Sequence, residues 1–211
     1  MALTHRIIRL RQLTDGDSAL HDRLLDRAHF TRQNVIDATG VAAHQLHNWV
    51  SRKWLTLSGD QAPGKGRRRL YTGSDTVSVA LGLELQPFGM MQVADMLSRS
   101  QQVSRRARRM LLDPAFECGR TFAVIPSAER QWSYVPFGPG TARSANDFRA
   151  AVILDVDRII LEVLERLVAL ARGEHLDPKE ASNRPQASGG ELVAEDVGDE
   201  FVFRSGTYNG H

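Results

Sequence analysis

Apolar positions along this chain change period several times, and each change marks an element. In "SALHDRLLDRAHF", Leu20, Leu24 and Leu25 fall at weak helical spacing, which predicts an N-terminal arm or short extra helix within residues 1–29. In "FTRQNVIDATGV", Thr31 is placed to cap a short helix whose inward positions are Val35, Ile36 and Ala38. Gly40 then ends that helix in a left-handed turn. A second helix follows closely, with Leu46, Trp49 and Val50 inward and His44, Gln45, His47, Asn48, Ser51 and Arg52 outward. Two short helices across a tight glycine turn make a helix-turn-helix.

Beyond it, "WLTL" alternates as a strand, "SGDQAPGKG" is a Gly/Pro loop and "RRRLY" returns as a second strand, so residues 54–71 read as a hairpin with an extended tip. "SDTVSVALGLEL" and "GMMQVADMLSRSQQVSRRARRMLL" read as two more helices, with Met90, Val93, Ala94 and Leu97 as a core stripe. After residue 112, "TFAVIP", "WSYVPF" and "AAVILDV" are β-rich, and "DRIILEVLERLVALARG" returns to helical spacing with Gly173 as its stop. This predicts a small antiparallel sheet capped by an amphipathic helix. Residues 145–172 can also be threaded as one long helix, but the β-branched Val152, Ile153 and Val156 favour a strand first.

The expected fold class is therefore α+β, mainly α. A winged helix-turn-helix domain occupies residues 30–112, a sheet-plus-helix module residues 113–172, and a largely disordered acidic tail residues 173–211.

The net charge of +2 hides a division along the chain. Residues 1–112 hold 17 Lys or Arg against 9 Asp or Glu, residues 113–172 hold 7 against 8, and residues 173–211 hold 3 against 8. A basic front half fits a polyanionic partner, and a solvated basic surface is the plainer reading. The outward face of the second helix carries amides, imidazoles, a hydroxyl and a guanidinium, which are groups that hydrogen-bond base edges in a major groove. In the loop and returning strand, Lys65, Arg67, Arg68 and Arg69 stand against the single acid Asp60. Basic groups there suit phosphates, and so do Thr31, Arg32, Lys53 and Tyr71 around them.

The stretch from "FTRQNVIDATGVAAHQLHNWVSRKWLTLS" through "GRRRLYTGSDTVSVALGLELQPFGMMQVADML" resembles the DNA-binding domain of the MerR-like winged-helix proteins. The resemblance covers about a third of the chain and rests on the "TGV" turn before the second helix, on Trp49 as its core anchor and on Arg69 to Tyr71 closing the wing. A capped helix from Ser74 and a further one over Gly89 to Leu97 complete it. It implies a sequence-specific transcriptional regulator binding duplex DNA as a homodimer. The chain departs from the family where an Arg-Tyr-Tyr-like run and a following acid are usual, having His47, Asn48, Trp49 and Val50. Base contacts therefore do not transfer.

Two further class readings stand beside this one. A phage or mobile-element protein, such as an excisionase or small terminase subunit, would use a similar winged domain to bend DNA or build arrays, and a protein-interaction adaptor would turn the basic face to an acidic partner. For dimerisation, the apolar face Ile159, Ile160, Val163, Leu164, Leu167 and Leu170 is wider than a tiny sheet needs to cover. Phe116, Phe122, Trp132, Tyr134 and Phe137 read first as sheet core and second as a pocket for a small-molecule effector; a protein effector is the other option. His44 and His47 share a helix face but lack further ligands, and the lone Cys118 rules out a disulfide scaffold, so no metal or cofactor is expected. No GxSxG, P-loop or HExxH pattern occurs, which argues against an enzyme. With no apolar leader and no run of about 18 apolar residues, a cytoplasmic protein is expected.

Overall fold

The computed structural model describes residues 2–14, 24–58, 69–88, 92–113, 115–116, 121–124, 133–136, 154–173, 192–197 and 200–205. Six α-helices account for most of them: α1 (Ala2–Thr14), α2 (Arg32–Thr39), α3 (Ala43–Ser51), α4 (Gly73–Leu85), α5 (Val93–Leu112) and α6 (Val156–Ala171). They belong to one compact unit formed by residues 1–118 and 156–184. No helix among the described residues is long and apolar enough to cross a membrane.

α4 is the centre of this unit, and its sequence explains why. "VSVALGL" carries no charge, and Val77, Val79, Ala80, Leu81 and Leu85 are all buried, as expected of a helix covered on every side. Its small polar residues satisfy themselves within the helix: Thr76 Oγ1 donates to Thr72 O at 3.0 Å and Ser78 Oγ to Ser74 O at 2.8 Å. α5, α6 and α2 pack around it. Small residues set how close they come. A Cβ on Gly73 would lie 2.2 Å from the carbonyl oxygen of Leu24, and one on Gly82 would lie 2.8 Å from Leu97 Cδ2.

Among the described residues the predicted sheet-plus-helix module is not present, and the fold is helical rather than α+β. α6 packs on α1, α2, α4 and α5, and Val156, expected to end a strand, opens the helix instead. The strands among the described residues, Thr121–Val124 (β1) with Ser133–Pro136 (β2) and Leu192–Val197 (β3) with Glu200–Ser205 (β4), are separate two-stranded antiparallel ribbons. Their residues fall in a second unit, 119–155 with 185–211. Within the predicted acidic tail, residues 192–197 and 200–205 form the β3–β4 ribbon, and residues 174–191 lie outside the described residues. Of the β-branched cluster, Val152 and Ile153 lie outside the described residues, and Val156 is helical because burial in the helical core outweighs intrinsic strand preference.

The wide apolar face of α6 has the same explanation. Ile159, Ile160, Val163, Leu164 and Leu167 are buried within this chain and only Leu170 is partly open, so the face proposed for dimerisation is occupied by the protein's own helices. The N-terminal arm is likewise structural. Ile7 and Leu10 of α1 are buried, Arg6 makes a two-pronged pair with Glu165 at 3.1 and 2.6 Å, and Arg11 donates to Met110 O and Asp113 O. The α5 stripe runs through Met96, Leu97, Ser100, Ser104, Ala107 and Met110 rather than through Val93 and Ala94, which are half-buried; Met90 lies outside the described residues.

Two arginines of the basic run on α5 also serve the fold. Arg106 pairs with the buried Asp157 of α6 at 2.5 and 2.9 Å and lies 4.6 Å over the Phe116 ring, and Arg108 pairs with Asp26. Removing one partner of a buried pair leaves the other uncompensated. Asp157→Ala should therefore cost about 3 kcal/mol of stability, read as a lowered midpoint in urea unfolding of the full chain.

Candidate nucleic-acid interface

α2, α3 and the segment leading into α4 meet around the turn between the first two. The capping box at α2 is complete: Thr31 Oγ1 accepts from Asn34 N at 3.2 Å, and Thr31 N donates to Asn34 Oδ1 at 2.9 Å. Gly40 ends α2 with φ 75°, its N–H donating to Ile36 O at 2.7 Å, and this left-handed step is the one a side chain resists. Val41 then turns inward, and Arg32 reaches across the turn to donate to Ala43 O at 2.5 Å.

α3 is anchored by Leu46 and Trp49, both buried, so its opposite face has to look out. His44, His47, Asn48, Ser51, Arg52 and Lys53 are exposed and Gln45 is half-buried, its amide bonded to Gln86 in the single 3-10 turn after α4. Val50, expected inward, is only partly covered. The Arg52 guanidinium lies 4.9 Å over the Trp54 ring. Lys53 adopts φ 59°, and Trp54 N and Leu55 N both donate to Trp49 O, so the chain reverses and drives Leu55 into the core. A lysine in a position that favours glycine gave no signal in the sequence.

The wing differs from expectation. Residues 54–57 do not form a strand, and Tyr71 bridges antiparallel to Phe30, with Phe30 N donating to Tyr71 O at 3.0 Å and Tyr71 N to Phe30 O at 2.8 Å. The returning segment is therefore held to the front of α2 rather than to its outgoing partner. Residues 59–68, with Lys65, Arg67 and Arg68, lie outside the described residues.

The two ends of that loop nevertheless share an anchor. Asp75, 1% exposed, accepts from Ser58 N at 3.1 Å, Ser58 Oγ at 2.8 Å and Thr72 N at 2.9 Å, while its own N–H donates to Thr72 Oγ1 at 3.0 Å. One carboxyl group thus caps α4 and ties the residue before the loop to the segment after it. The "TGSD" capping pattern was present in the sequence; its second duty to Ser58 was not legible there.

Together these elements enclose an open groove. Thr31, Arg32, Gln33 and Ile36 of the α2 side, Ala43, His47 and Val50 of α3, and Arg69 and Tyr71 of the returning segment line it. Several residues predicted to touch phosphate are thereby brought beside one predicted to touch bases. Tyr71 is 3% exposed, and burial pushes its phenol above the ordinary range, an effect that Arg32 and Arg69 partly oppose. Arg69 is exposed. Among the described residues no three His, Cys, Asp or Glu side chains gather to hold a metal ion, and His44 and His47 remain a pair. Cys118 and the aromatics Phe122, Trp132, Tyr134 and Phe137 have no described side chains. Compared with protein-family models and with curated protein sequences, the chain matches none.

Asp75→Ala should free both loop ends and cost about 3 kcal/mol, from the loss of three hydrogen bonds and the cap. Amide hydrogen exchange should quicken at Ser58 and Thr72 before it changes within α6.

Proposed function

We propose that this chain is a sequence-specific, non-enzymatic DNA-binding protein, a transcriptional regulator of the MerR-like winged-helix kind, which inserts α3 into the major groove of duplex DNA. The observation that carries the reading is the division of α3. Leu46 and Trp49 fix it to the core, while His44, His47, Asn48, Ser51 and Arg52 project from the exposed side. Those groups read base edges by hydrogen bonding, Asn and Gln with adenine and Arg with guanine.

The surroundings support it. Arg32, Arg69 and Tyr71 share a groove with His47, and phosphate contacts beside a reading helix fix its register and orientation. The loop with Lys65, Arg67 and Arg68 springs from two ends that Asp75 holds beside the start of α4. A cationic loop so tethered supplies the salt-dependent, sequence-independent share of affinity. Gln45 is the weakest of the predicted base contacts, because its amide already bonds Gln86.

Selection of bound fragments from genomic DNA would supply a preferred duplex for quantitative binding. Asn48→Ala should then lose about 1–3 kcal/mol of discrimination at one base pair and little on unrelated DNA. Arg67→Ala with Arg68→Ala should weaken binding to every sequence alike and lower the salt slope by about 2. A double variant with unchanged affinity and slope would remove the loop from the interface.

A further inference from the structure

Arg52 closes the C-terminus of α3, its backbone N–H donating to Asn48 O at 3.0 Å. An arginine in that position is drawn to the carbonyls of the last turn, where the helix dipole is negative. The Arg52 guanidinium instead lies 4.9 Å over the Trp54 ring, and among the described residues its side chain makes no hydrogen bond or ion pair. Along the chain, no Asp or Glu occurs between Asp37 and Asp60 to compete for it. The backbone puts the ring in that place. Lys53 takes φ 59°, a conformation that strains a lysine more than a glycine, and the reversal lets Trp54 N and Leu55 N both donate to Trp49 O, at 2.9 and 3.1 Å. Leu55 enters the core, 2% exposed, whereas Trp54 stays half-buried. The core already has its indole in Trp49, 3% exposed, so the Trp54 ring serves the surface, and the group it meets there is Arg52.

We propose that Trp54 is a positioning residue for base reading: its ring holds the Arg52 guanidinium by the face and keeps the N–H edge for N7 and O6 of a guanine. Guanidinium groups stack on aromatic faces, and their five N–H donors diverge within the plane, so a stacked group retains its donors. Bidentate contact with guanine needs two of them in a fixed orientation. Asn48 lies one turn before Arg52 and is exposed like it, so the two side chains share a helix face. An unsupported arginine gives up its side-chain freedom on meeting the duplex; one already stacked gives up less, and the difference appears as affinity for the guanine site. Indole is the strongest aromatic partner for a cation. The role rests on the duplex reading above; the stacked pair does not.

Both parts are testable on the full chain. In the free protein, side-chain protons of Arg52 should be shifted upfield in NMR spectra by the indole ring, and the shift should vanish in Trp54→Leu. Random-coil values in wild type would overturn the pair. For the reading step, duplexes from the genomic selection carry 7-deazaguanine, which lacks the N7 acceptor, at each guanine in turn. Wild type should lose affinity at one guanine to which Arg52→Lys is indifferent. Trp54→Leu should bind the unmodified duplex about three- to tenfold more weakly, lose less at that guanine and bind unrelated DNA as wild type does, while Trp54→Phe recovers most of the difference. The backbone bond from Trp54 N to Trp49 O survives each replacement. Should Trp54→Leu nevertheless lower the unfolding temperature, the double variant decides: if the two residues act as a unit, Arg52→Lys adds little to the loss already caused by Trp54→Leu, and full additivity would overturn the role. Equal sensitivity of wild type and Trp54→Leu at every guanine would also overturn it, leaving the duplex reading intact. If no duplex is bound at all, the role falls together with that reading, whatever the NMR shifts show of the pair.

Discussion

The buried carboxyl group of Asp75 is the constraint on which the proposed interface depends. It sits at the first turn of the central helix α4, where orphan backbone N–H groups and the helix dipole both favour an acceptor. From there it holds Thr72 N on one side and Ser58 on the other, joining the start of the core helix to both flanks of the basic loop. The adjoining residue Tyr71 is bridged to Phe30, immediately before the cap of α2. A short chain of hydrogen bonds thus connects the core, the loop ends and the helix-turn-helix. Rigid support of this type is what a reading surface requires, because base contacts tolerate little displacement.

The second organising feature is that α6, distant in sequence, completes the core around α4. Its apolar face, the buried Arg106–Asp157 pair and the Arg6–Glu165 contact bind the N-terminal helix, the helix-turn-helix and the C-terminal helix into one unit. Arg166 also donates to Ala38 O at the end of α2. The helix-turn-helix is therefore supported from behind by a residue more than a hundred positions away.

How much of this was legible depends on the range of the interaction concerned. Local signals were reliable: Thr31 as a cap, Gly40 as a left-handed stop, and Leu46 and Trp49 as the anchors of α3 are all determined within a few residues, and the structure has them in those roles. Non-local assignments were not. Apolar periodicity showed that α6 has a broad buried face, but not that its partner is α4, so an intramolecular contact looked like surplus surface. Likewise, alternation in "WLTL" suggested a strand, whereas the reversal at Lys53 and the pairing of Tyr71 with Phe30 depend on contacts that no local pattern encodes. The groove was half visible: its residues were nominated singly, and only the fold shows Arg32, His47, Arg69 and Tyr71 around one space.

The central claim is that α3 and the loop flanks engage the same ligand at the same time. Hydrogen exchange of the full chain, with and without a duplex recovered from its own genomic selection, tests this most directly. The account predicts slowed exchange across residues 44–52 together with Ser58 and residues 69–72, while α6 stays as it was. Protection confined to the arginine-rich side of α5, with residues 44–52 unchanged, would contradict it.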